Sequence, residues 1–100
     1  MWDGITYVDP VRSPIISEGS TPARLVVLNS GPSSVLVEGW NTTKPDDSKP
    51  ADINLKLWPG NTCSVSAHLI RVGLTEGPSH KHRKSDGPAP FAAIAWKAVS

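Results

Sequence analysis

The sequence predicts an all-β chain: a two-sheet antiparallel sandwich of six to seven short strands, with a small β-barrel as the alternative architecture. Three observations lead there. Apolar residues recur at every second position, which is the period of strands rather than of helices. Ten prolines and eight glycines in 100 residues break helices, since a helix interior loses about 1 kcal/mol at each glycine and about 3 kcal/mol at each proline. Turn-forming residues separate the apolar runs at short intervals, which is the spacing of a sandwich or barrel.

Residues 4–8 and 14–17 are expected to be short edge strands bordered by proline, which cannot donate to a neighbouring strand. Residues 23–29, Ala-Arg-Leu-Val-Val-Leu-Asn, are a nearly continuous apolar run suited to a strand covered on both faces. Asn29-Ser30-Gly31-Pro32 reads as a hairpin connection into a strand at 34–40, where Val35 and Val37 share a face. Alternation is clearest at 52–58: Ile53, Leu55 and Leu57 point one way, Asp52, Asn54 and Lys56 the other. Trp58-Pro59-Gly60-Asn61 carries proline and glycine where a type II turn requires them. Residues 62–74 form a long strand whose apolar phase changes part-way. Cys63, Val65, Ala67 and Leu69 lie on one side, Ile70 and Val72 on the other, and a β-bulge near His68-Leu69-Ile70 reconciles them. Residues 91–99 make the last strand, and two polar loops rich in proline, serine and charge occupy 41–50 and 75–90.

The run Leu25-Val26-Val27-Leu28-Asn29-Ser30-Gly31-Pro32, followed by Val35-Leu36-Val37 and later by Leu57-Trp58-Pro59-Gly60-Asn61-Thr62 with Val65 behind it, resembles the rhythm of small immunoglobulin-like accessory modules. The resemblance spans about half the chain and rests on turn motifs. It implies an immunoglobulin-like sandwich and a non-catalytic role. It carries over no functional residue, and the cysteine pair of antibody domains is missing.

Length limits the chain to one domain, residues 1–100, with a core of modest size. Cys63 is the only cysteine, so no intrachain disulfide supports the fold. A formal net charge of +1 supplies no strong field toward nucleic acid or an anionic membrane. The sequence holds no basic-then-apolar leader and no run of about 20 apolar residues. The expectation is a cytoplasmic protein or part of a particle assembled in the cytoplasm, although a mature secreted domain would read the same way.

Reactive constellations are sparse. Cys63 and His68 are an odd number of positions apart on one strand, which separates a thiol from its would-be base. His80 and His82 have the spacing of a metal pair, but Lys81, Arg83 and Lys84 add positive charge that repels a cation. No catalytic residue, cofactor or metal is expected, and the chain is not expected to be an enzyme. The segment His80, Lys81, His82, Arg83 and Lys84 is a possible contact for an anion or nucleic acid, but it lacks aromatic residues that stack on bases.

Tryptophan is the more informative signal, with four in the chain against one Phe and one Tyr. Alternation sets Trp40 opposite Val35 and Val37, and Trp58 opposite Ile53, Leu55 and Leu57, so both indoles fall outside the core stripe. An exposed indole is costly unless something covers it. Trp40 and Trp58 are therefore the expected partner or ligand contacts. The expected function is a structural or protein-interaction module that associates with itself or docks on another protein. The alternatives are a carbohydrate-binding module that uses the two indoles as stacking platforms and an anion or nucleic-acid binder acting through residues 80–84.

Overall fold

The computed structural model describes residues 1–46, 48–75 and 90–99. Six strands follow one another: β1 (Gly4–Val8), β2 (Ile15–Pro32), β3 (Val35–Trp40), β4 (Ile53–Leu57), β5 (Thr62–Leu74) and β6 (Ala92–Ala98). They form a single antiparallel sheet in the order β1-β6-β2-β5-β3-β4. No helix occurs among the described residues, as the proline and glycine content predicts.

The strands at 4–8 and 62–74 begin and end where alternation places them, and those at 34–40, 52–58 and 91–99 differ by only a residue or so at their ends. The first half of the chain differs more. The expected strands at 14–17 and 23–29 are parts of one 18-residue strand, β2. Its pairing with β5 slips between Ile15 and Ser17 and again between Glu18 and Ala23. Extra residues bulge out of β2 at both slips, opposite the point where β5 changes apolar phase. The irregularity predicted at His68-Leu69-Ile70 thus exists, but the additional residues belong to the partner strand. Nor is β2 covered equally on both sides: Leu25 and Val27 are buried, whereas Val26 and Leu28 are half-exposed.

Asn29-Ser30-Gly31-Pro32 is not a hairpin. β2 continues through it, with a register shift against β6 and a cis peptide bond between Gly31 and Pro32. β2 and β3 are not neighbours in the sheet. The two residues between them carry the chain across to another part of it. The crossing is held by Asn29, which is fully buried. Its Nδ2 donates to the carbonyls of Ser33 and Leu57, both at 2.9 Å, and its Oδ1 accepts from the Gly31 amide at 2.7 Å. A buried amide is tolerated because it is so fully partnered.

The Leu57 bond also reveals the shape of the sheet. β2 and β4 are three strands apart in sheet order, or about 14 Å if the sheet were flat. Direct hydrogen bonding between them means that the sheet bends back on itself. It is not closed, since no pairing joins β1 to β4 among the described residues. The concave side holds one core to which all six strands contribute, including Val8, Val27, Val37, Leu57, Val72 and Ile94. Each such side chain contributes about 1.5–3 kcal/mol by leaving water.

Trp58-Pro59-Gly60-Asn61 makes the expected turn. The Asn61 amide donates to the Trp58 carbonyl at 3.1 Å and Gly60 has φ 87°, the third-position conformation of a type II turn. This turn lies against Asn29, whose carbonyl accepts from the Gly60 amide at 2.6 Å. Both crossings therefore meet at one end of the molecule.

Candidate functional site

On the convex side, strand register builds two rows of side chains. Ile15 of β2 faces Arg71 of β5, which faces Glu38 of β3. One step along, Glu18 of β2 faces Leu69 of β5, which faces Trp40 of β3. The phase change in β5 turns Leu69 to this side while Ile70, its neighbour, enters the core. Leu69, Trp40 and Ala51 form a small apolar cluster of their own.

The chain leaving Trp40 folds back over this surface. The Asn41 amide donates to Asp52 Oδ2 at 2.9 Å, and Asn54 Nδ2 donates to the Ala51 carbonyl at 2.9 Å, which pins the two ends of the loop. Within it, Asp46 Oδ1 accepts from the Ser48 amide at 2.9 Å and the Ser48 hydroxyl at 2.7 Å. The Ser48 hydroxyl, followed by its amide, holds the Asp46 carboxyl below its ordinary range, so it carries its charge. Between loop and sheet lies a cleft of about 310 Å³, walled by Pro45, Asp46 and Lys49 on the loop side and by Ile15 and Glu18 on β2, with Trp40 among its lining residues.

Arg71 is paired with Glu38. Its Nε and Nη2 both donate to Glu38 Oε1, at 3.1 and 2.8 Å, and its guanidinium stands 4.9 Å from the Trp40 ring centre. The pair satisfies the directly opposed strand positions that alternation alone would leave as two bare charges.

The expectation of two exposed indoles is corrected for Trp40. It does lie on the convex side, but only 8% of it is exposed, beneath the returning loop and beside Arg71. Alternation reports the face a side chain takes and is blind to a loop that folds over it. Trp58 is 53% exposed, with the Lys56 ammonium 4.1 Å from its ring centre. The two indoles do not make a matched pair of open platforms. His80, Lys81, His82, Arg83 and Lys84 lie outside the described residues. Cys63 packs against the core, and burial pushes its thiol pKa up from the ordinary 9.0. His68 Nδ1 lies 3.2 Å from the Gly19 carbonyl.

A second surface was not singled out by the sequence. Ile5 and Tyr7 on β1 are 67% and 57% exposed. They sit opposite Ala95 and Ala93 of β6, which continue to Leu28 and Gly31 of β2. This convex face of β1, β6 and β2 is apolar over three strands, and β1 is an outermost strand of the sheet. The signal for it was the alternation of Ile5 and Tyr7 with Thr6 and Val8, which leaves large apolar residues on both sides of one short strand.

No family model, curated protein or solved structure matches the chain.

Proposed function

We propose that this protein is a non-catalytic interaction module that associates with itself through β1 and the adjoining apolar face. The observation that carries the reading is the exposure of Ile5 and Tyr7 on an outermost strand. Such strands present unpaired backbone groups, and soluble proteins ordinarily blunt them with charge or proline. β4, the opposite outermost strand, is blunted: its outward residues are Asn54 and Lys56. β1 has no charged residue between Gly4 and Val8. Antiparallel pairing of β1 with β1 of a second copy extends the sheet, satisfies the unpaired backbone groups of both edges, and sets the two copies' Ile5 and Tyr7 side by side on one face, where each set shields part of the other.

The bent-back sheet is read here as a two-layered sandwich. The hydrogen bond from Asn29 to Leu57 supports this, as does the smallest molecular extent of 16 Å, which accommodates two layers about 10 Å apart.

Analytical ultracentrifugation of the wild type and of an Ile5→Lys/Tyr7→Lys double variant tests the association. The wild type is expected to sediment as a dimer that dissociates on dilution, and the variant as a folded monomer with unchanged far-UV circular dichroism. A wild type that remains monomeric at its solubility limit rejects the proposal, and so does a variant that dimerises as strongly as the wild type.

A further inference from the structure

We infer that the cleft between the loop and the sheet binds a small organic cation, an ammonium group carried on an apolar body. The site is separate from the β1 face, and its argument does not depend on self-association. A volume of about 310 Å³ stands at the lower end of the range for small-molecule sites, roughly 300–1,000 Å³. That suits one ring with a short chain rather than a larger ligand.

Charge selects the sign of the occupant. Three carboxylates, Glu18, Glu38 and Asp46, line the cleft with two cations, Lys49 and Arg71. Glu38 and Arg71 neutralise one another, and both Arg71 nitrogens named above are used in doing so. An incoming carboxylate would find only the remaining N–H groups of Arg71, beside the Glu38 carboxylate that already neutralises it, and would add a fourth carboxylate to the cleft. Glu18 and Asp46 remain against Lys49, and Asp46 is held ionised by Ser48. The balance left for a ligand is negative. The apolar body has its own contact surface in Ile15, Leu69, Pro45 and the accessible edge of Trp40. An aromatic ring there gains contact with the indole, and the ammonium reaches the carboxylates at the rim.

Phenethylammonium chloride, with 3-phenylpropionate as the anion of matched size, provides the test. The readout is the indole N–H signal of Trp40 in proton NMR, identified by its loss in Trp40→Phe. Phenethylammonium is expected to shift that signal saturably, and added salt to weaken the effect. Glu18→Gln/Asp46→Asn is expected to reduce the affinity about five- to tenfold, the effect of two partly exposed charge contacts. Both exchanged side chains are exposed, and asparagine keeps the acceptor that Ser48 uses, so the fold is expected to survive. The titration is repeated in Ile5→Lys/Tyr7→Lys, where the same shift is expected, so failure of self-association and failure of this site are read separately. An equal shift by 3-phenylpropionate, no shift by phenethylammonium, or an affinity untouched by Glu18→Gln/Asp46→Asn would each overturn the inference.

Discussion

Asn29 shows how one side chain decides the path of a chain. It stands where alternation calls for an inward residue, after Leu25 and Val27. No apolar residue would satisfy the Ser33 and Leu57 carbonyls and the Gly31 amide. Each buried group left without a partner costs about 1–3 kcal/mol. Asn29→Ala is therefore expected to destabilise the protein by about 3 kcal/mol or more, read as a lower urea midpoint at unchanged slope. Asn29→Asp is expected to be as severe, because a carboxylate cannot donate to two carbonyls.

Cys63 carries a different kind of prediction. Burial holds its thiol protonated at pH values where the unfolded chain's thiol ionises, near the ordinary pKa of 9.0. A group whose pKa is raised by folding keeps its full contribution below the unfolded value and loses it as pH rises through the folded one. Stability is thus expected to fall above about pH 9, and Cys63→Ser to lessen that fall. Denaturation midpoints measured from neutral to alkaline pH check this. Iodoacetamide should modify the native thiol more slowly than the unfolded one.

At the scale of elements, turns and strands were legible to different degrees. The turn at Trp58 to Asn61 was readable because its chemistry is local. Proline fixes one dihedral and glycine supplies the positive φ of 87° at position 60. A Cβ there would meet nothing within 4 Å, so any penalty on Gly60→Ala comes from backbone conformation alone. We expect a loss of about 1 kcal/mol, measurable by chemical denaturation. The segment from Asn29 to Pro32 has similar composition and the opposite outcome. Whether such residues close a hairpin or send the chain across to another part of the sheet depends on Leu57 and Asn61, about thirty positions away. Sequence alone holds no record of that partner. The fusion of 14–17 with 23–29 is hidden in the sequence for a related reason. Pro22 and Gly19 look like terminators, but a bulge lets a strand pass through them.

The same division holds for the site. Periodicity put Trp40, Glu38 and Leu36 on the convex side, and they are there. It grouped Leu69 with Cys63, Val65 and Ala67, but those three belong to the core while Leu69 lies with Trp40 and Ala51 on the other side, because the bulges in β2 shift the pairing just there. Not legible were the pairing of Arg71 with Glu38, which follows from register between distant strands, and the packing of Ala51 against Trp40, which follows from how the chain returns after β3. Gly4 illustrates the limit in small form. Alternation does not say why it must lack a side chain, yet the Trp96 ring occupies the space a Cβ would need, with Cε2 2.8 Å from that position.

For the whole molecule, one asymmetry bears on the proposed self-association. The six-stranded sheet has β1 at one margin and β4 at the other, and only the second is armed with lysine. Two molecules joined β1 to β1 by a two-fold axis use up the sticky margin of each, and growth stops at two. Joining β1 to β4 would instead leave an unused margin at each extremity, and a translation repeated without end makes a fibre. Under the proposed association, Lys56, with its ammonium over Trp58, places a charge on the margin that a fibre would need. Lys56→Val is then expected to give species larger than the dimer in analytical ultracentrifugation, where the wild type stops at two.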